Sequence, residues 1–102
     1  MKRIVIPALI ALFVATPAMA DADDIQEMEA LAKQFGFISL EQAKAKALAA
    51  KPGVVTDAEL DDRDFGKGWD YEFEIHDADG HEWEVYVDAK SGEVRKVSRE
   101  WF

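Results

Sequence analysis

Trp69-Asp70-Tyr71-Glu72-Phe73-Glu74-Ile75-His76-Asp77-Ala78-Asp79-Gly80-His81-Glu82-Trp83-Glu84-Val85-Tyr86-Val87-Asp88 is the stretch whose reading decides the fold. Trp69, Tyr71, Phe73 and Ile75 alternate with Asp70, Glu72, Glu74 and His76. After the turn, Trp83, Val85 and Val87 alternate with Glu82, Glu84, Tyr86 and Asp88. A period of two sends successive side chains to opposite faces, so both runs read as strands with one apolar and one acidic face. Directly opposed residues share a face, and this sets the register. A three-residue loop, Ala78-Asp79-Gly80 with Gly80 left-handed, places Ile75 opposite Trp83, Phe73 opposite Val85 and Tyr71 opposite Val87. On the other face it places Glu74 opposite Glu84, His76 opposite Glu82 and Glu72 opposite Tyr86. A loop one residue shorter or longer would set Ile75 against a glutamate.

Working outward, turn signals at Gly66-Lys67-Gly68 and Lys90-Ser91-Gly92 bound two further strands, giving four antiparallel strands near 54–64, 69–77, 81–88 and 93–99. Val94 and Val97 differ in parity, which predicts a bulge or an early end to pairing in the last strand. Upstream the period becomes helical. Ser39 and Gln42 form an S-x-x-Q capping box, Leu40, Ala43, Ala47 and Leu48 make an apolar stripe, and Pro52-Gly53 stops the helix. Its small alanines permit close approach to the apolar sheet face. A shorter amphipathic helix over 24–35 carries Ile25, Met28, Leu31, Ala32 and Phe35 inward and ends at Gly36. The fold class is therefore α+β, one helix packed on a four-stranded antiparallel sheet and preceded by a short amphipathic helix.

Residues 1–20 read as a secretory signal peptide. Met1-Lys2-Arg3 is basic, Ile4 to Ala15 is apolar, and Ala18-Met19-Ala20 is a small-x-small site that predicts cleavage after Ala20. The apolar run is nearer 12 residues than the roughly 20 that span a bilayer, so no stable membrane anchor is expected after cleavage. Residues 21–37 then form the first helix and a linker, and 38–102 the main domain. The expected location is the periplasm or the medium.

The whole chain of 102 residues holds 12 Lys+Arg against 21 Asp+Glu, a net charge of −9, and no cysteine. Loss of Lys2 and Arg3 with the signal would leave 10 bases against all 21 acids, a net of −11. Disulfides, thiolate metal sites and cysteine nucleophiles are excluded. Nucleic acid and anionic membrane surfaces, which attract Lys/Arg clusters, are not expected partners. The acidic excess is concentrated in 57–88, where thirteen acids meet only Arg63 and Lys67. Opposed Glu74 and Glu84 repel by a few tenths to about 1 kcal/mol, which a basic partner or a cation would relieve.

Glu72, Glu74, Glu82, Glu84 and Tyr86 are the candidate partner-binding residues. Trp101 and Phe102 have two readings, contact with a partner or packing on the first helix. No metal set is assigned: the register sends His76 and Glu82 outward but Asp77 and His81 toward the other face, and the turn lacks a calcium-loop series. No catalytic residue and no cofactor are assigned either. Ser39 is a helix cap, Ser91 a turn residue, and Ser98 lacks a nucleophile elbow, so an enzyme is not expected.

Ile38-Ser39-Leu40-Glu41-Gln42-Ala43, Lys51-Pro52-Gly53 and the run from Asp77 to Val94 resemble a PepSY domain over roughly 38–98. The resemblance implies a cystatin-like helix-on-sheet fold and a non-catalytic binding or regulatory role, with a peptidase or an envelope sensor as the protein partner. It carries over no ligand or catalytic residues. The chain differs in carrying no protease domain and in adding the helix at 24–35, which speaks against an intramolecular propeptide role. An acidic, cation-responsive periplasmic module is the alternative. Partner identity and oligomeric state are not legible in these residues.

Overall fold

Ser39 opens the central helix α2 (Leu40–Ala50) with the reciprocal bonds its sequence announces. Its Oγ accepts from the Gln42 amide at 3.0 Å, and Gln42 Oε1 accepts from the Ser39 amide at 2.9 Å, satisfying two of the donors that a helix start leaves orphaned. The computed structural model describes residues 3–7 and 22–101, with side chains from Ile25 to Trp101. Helix α1 (Ala22–Phe35) precedes α2. The sheet is antiparallel and runs in chain order: β1 (Arg3–Pro7), β2 (Val54–Asp62), β3 (Trp69–His76), β4 (Glu82–Asp88) and β5 (Val94–Arg99).

The hairpin register is the expected one. Ile75 pairs with Trp83, Phe73 with Val85, Glu74 with Glu84 and His76 with Glu82. Gly80 has φ 83°, and the Asp77 amide donates to the His81 carbonyl at 2.9 Å. The bulge expected in the last strand falls at Arg95, since Tyr86 pairs with Lys96 while Val87 pairs with Val94. A second bulge, at Thr56 between Val55 and Asp57, had no signal in the sequence.

Two features depart from expectation. The first of the four hairpin-linked strands ends at Asp62, because Asp64 and Phe65 take left-handed φ values of 65° and 56° and turn the chain early. Residues 3–7, read as part of the signal, form a fifth strand on the β2 edge. The rest of the segment 1–20 lies outside the described residues, as does Phe102.

Tyr71, Phe73, Ile75, Val85, Val87, Leu60 and Met28 are fully buried between the apolar sheet face and the helices, with Ala43 and Ala47 of α2 among them. Burying each such large side chain contributes about 1.5–3 kcal/mol. Tyr71 keeps its hydroxyl satisfied by donating to the Ile38 carbonyl at 2.7 Å. Burial holds its pKa up at about 12. Gly53 does more than stop α2: a Cβ there would overlap the His76 carbonyl and lie 2.8 Å from Ile75 Cγ2, so only glycine lets the helix exit rest on β3.

Candidate functional site

The acidic face of the sheet is built by parity. Residues opposite the core-facing Ala58 and Leu60 are Asp57, Glu59 and Asp61, and pairing carries these into rows across the strands. One row runs Asp57, Glu74, Glu84, Ser98, and the next Glu59, Glu72, Tyr86, Lys96. Asp57, Glu59, Glu72, Glu74 and Glu84 line a single hollow. Glu72 is only 8% exposed and Glu74 and Glu84 are half-buried, so the face is not the exposed surface that alternation alone suggests.

Crowding shows in the protonation equilibria. Burial, reinforced by the Glu72 and Glu100 carboxylates, pushes Glu84 up to about 7. A hydrogen bond shared with Glu82, followed by burial, raises Glu74. Thr56 Oγ1, at the unforeseen bulge, lies 3.4 Å from Glu74 Oε1 and opposes that rise. Burial and the Glu72 carboxylate hold the Tyr86 phenol above its ordinary range. Near neutral pH Glu84 is therefore only partly ionised.

A second, mixed-charge hollow adjoins it, lined among others by Arg63, Asp70, Tyr86, Arg95 and Lys96. Asp70 is 2% exposed. Its Oδ2 accepts from Arg95 Nη1 at 2.6 Å, and Arg63 Nη1 lies 3.7 Å from Oδ1. Arg63 also donates to Asp88 Oδ2 at 2.8 Å. Burial still raises the Asp70 pKa despite these two guanidinium groups. Arg95 reaches Asp70 from the bulge, a device that re-aims a side chain. Lys96 Nζ stands 5.4 Å from the Tyr86 ring centroid. Thus the face is acidic toward Glu74 and Glu84 and charge-balanced toward Asp70.

Of the five expected site residues, Glu72, Glu74, Glu84 and Tyr86 meet on this face, and Glu82 flanks it opposite His76 with an Oε1–Nε2 distance of 3.7 Å. Asp57, Glu59, Asp70 and Arg95 escaped the reading of the residues one by one; the parity of Ala58 and Leu60 was the signal for the first two. Glu74, His76 and Glu82 each offer a ligand atom within 4.8 Å of the others, as do Asp77, Asp79 and His81. In the second trio, Asp77 is already engaged. Its Oδ1 accepts the Asp79 and His81 amides, both at 2.9 Å, and its Oδ2 the Trp83 indole at 2.8 Å. Ser39 and Ser91 serve as cap and turn residues, Ser91 Oγ accepting the Glu93 amide at 3.1 Å. Two aromatics stand out of the surface, Phe65 at 94% and Trp101 at 76% exposed. Arg99 stacks over Trp101 at 4.1 Å, so that ring does not pack on α1.

Comparison with known proteins agrees with this architecture. The model of the PepSY family, described as peptidase propeptide and YPEB domain, matches residues 37–98. A solved structure described as a "putative lipoprotein" of Clostridium difficile 630 is 28% identical, with a TM-score of 0.58 over 80% of this chain and 55% of its own. The chain thus spans about half the length of that neighbour. No curated protein matches.

Proposed function

This chain belongs to the PepSY family, and on that premise we propose that it is an exported, non-catalytic regulatory module that acts by binding a protein, a peptidase or an envelope sensor, through its acidic sheet face. PepSY domains are in general propeptide-type regulatory modules. Export follows from the signal-like residues 1–20, and among the described residues no helix is long and apolar enough to cross a membrane. The observation that carries the reading is the hollow of five carboxylates with Tyr86 beside it. Half-buried like charges cost stability in the free protein, and a basic, hydrogen-bonding partner would recover that cost.

The test is capture from a periplasmic extract on the immobilised, processed protein, with and without chelator. A peptidase or sensor retained through chelation and lost on Glu74→Gln, Glu84→Gln or Tyr86→Ala supports the reading. Unchanged capture by all three variants removes this face from consideration.

A cation-responsive role is favoured by one observation, the convergence of Glu74, His76 and Glu82 within 4.8 Å. It requires a saturable calcium- or zinc-dependent rise in melting temperature that the double variant Glu74→Gln, Glu82→Gln abolishes.

A further inference from the structure

The strand β1 rests on the β2 edge in an antiparallel register that pairs Arg3 with Asp61, Ile4 with Leu60, Val5 with Glu59, Ile6 with Ala58 and Pro7 with Asp57. The edge so covered has a definite chemistry. Leu60 and Ala58 are core residues, while Asp57, Glu59 and Asp61 belong to the acidic face. A strand that fits beside them alternates apolar residues, opposite Leu60 and Ala58, with residues that tolerate or neutralise carboxylates. Arg-Ile-Val-Ile-Pro sets Ile4 and Ile6 opposite Leu60 and Ala58 and Arg3 opposite Asp61, with the uncharged Val5 and Pro7 opposite Glu59 and Asp57. The opposite edge differs: β5 carries Arg95, Lys96 and Arg99 and is bent by the bulge at Arg95, the features by which edge strands discourage pairing.

We propose that, once residues 1–20 are removed, the β2 edge receives an extended segment of a protein partner, antiparallel, with apolar residues opposite Leu60 and Ala58 and a basic residue opposite Asp61, as in Arg3–Pro7. This deepens the exported binding module proposed above and rests on that reading. Removal of β1 strips the backbone N–H and C=O groups of the β2 edge of their strand partner, and a five-residue ladder with side-chain alternation supplies affinity and specificity together. The acidic face of β2 then serves two purposes: Asp57 and Glu59 line the acidic hollow, and Asp61 selects a base in the incoming strand. While the segment remains attached it occupies the edge in cis, so the site opens only with processing.

The experiment expresses the full chain with export, and intact mass decides whether residues 1–20 are gone. The recovered protein is titrated with a capped Arg-Ile-Val-Ile-Pro peptide, with its Arg→Glu form, and with a form carrying Lys at both isoleucines, while amide hydrogen exchange is followed over residues 54–62. Saturable binding that slows exchange in β2, weakens with salt and falls at least about tenfold for both altered peptides is expected. Processed protein that binds no peptide, or binds it with β2 exchange unchanged, overturns the edge site and leaves the exported module standing. A β2 edge closed by a second copy, seen as a dimer that the peptide does not dissociate, also overturns it. Retention of residues 1–20 overturns the processing on which both readings depend.

Discussion

The indole Nε1 of Trp83 donates to Asp77 Oδ2 at 2.8 Å, tying the start of β4 back to the turn that precedes it. The other Asp77 oxygen takes two backbone amides, and Lys51 Nζ at the end of α2 lies 3.7 Å from Oδ2 and 4.0 Å from the centre of the Trp83 ring. One carboxylate thus pins the hairpin turn, a strand and the helix exit. The amide from His81, with the indole next, draws the Asp77 pKa down to about 2. A folded pKa below the ordinary value gives stability that is present above pH ~4 and lost as pH falls through about 2. Asp77→Asn should lower the melting temperature at pH 7 and flatten its fall between pH 4 and 2. An unaltered acid limb in the variant would show that Asp77 carries none of it.

That hairpin was legible because parity leaves little choice: Ile75 can oppose Trp83 only if the loop has three residues, and a slip of one would bury a row of glutamates. The cap at Ser39 and the alanine stripe were legible for the same reason, since each is a local pattern with a local cause. What escaped depends on pairing between distant segments. Nothing in Arg3–Pro7 distinguishes a strand from the front of a signal peptide. The Thr56 bulge that aims a hydroxyl at Glu74 has no residue signature, and Arg95 reads as a surface base until the bulge turns it onto Asp70. The acidic face was visible as composition, but its depth was not. Burial of Glu72 to 8% exposure arises from neighbours on both sides, which a single strand cannot announce.

Removing Arg95 should reveal how much that bulge matters. Asp70 is buried and depends on Arg95 and Arg63, and a hydrogen bond to a charged group contributes about 1.5–3 kcal/mol. Arg95→Ala should therefore lower stability by about that amount in urea unfolding. Asp70→Asn placed in the same background should restore part of the loss, because the amide leaves no buried charge to be paired. A double variant as unstable as the sum of both single ones would mean that the two side chains are not coupled.

Phe65 offers the opposite effect. It holds φ 56° with its ring 94% exposed, a conformation that costs an ordinary L-residue about 1–2 kcal/mol and gains nothing from burial. Asparagine tolerates this region much better. Phe65→Asn should raise stability by about 0.5–1 kcal/mol, measured by thermal unfolding at neutral pH. A destabilised variant would show that the ring makes an interaction that outweighs the backbone strain.

The carboxylate hollow makes the sharpest pH prediction. Glu84 is pushed up to about 7 from an ordinary 4.5, first by burial and then by Glu72 and Glu100. Between those two values the folded protein keeps a proton that the unfolded chain releases. The contribution to stability is then complete below pH ~4.5 and lost as pH rises through about 7, and the raised Glu74 adds to it in the same direction. The melting temperature of the wild type should fall from pH 5 to pH 8. Glu84→Gln, a permanent mimic of the protonated side chain, should show a shallower fall and be the more stable protein at pH 8. Since Asp77 acts only near the acid limb, the two windows do not overlap. Parallel slopes for wild type and Glu84→Gln between pH 5 and 8 would show that the hollow is fully solvated and ionised, and the stored repulsion offered to a basic partner would go with it.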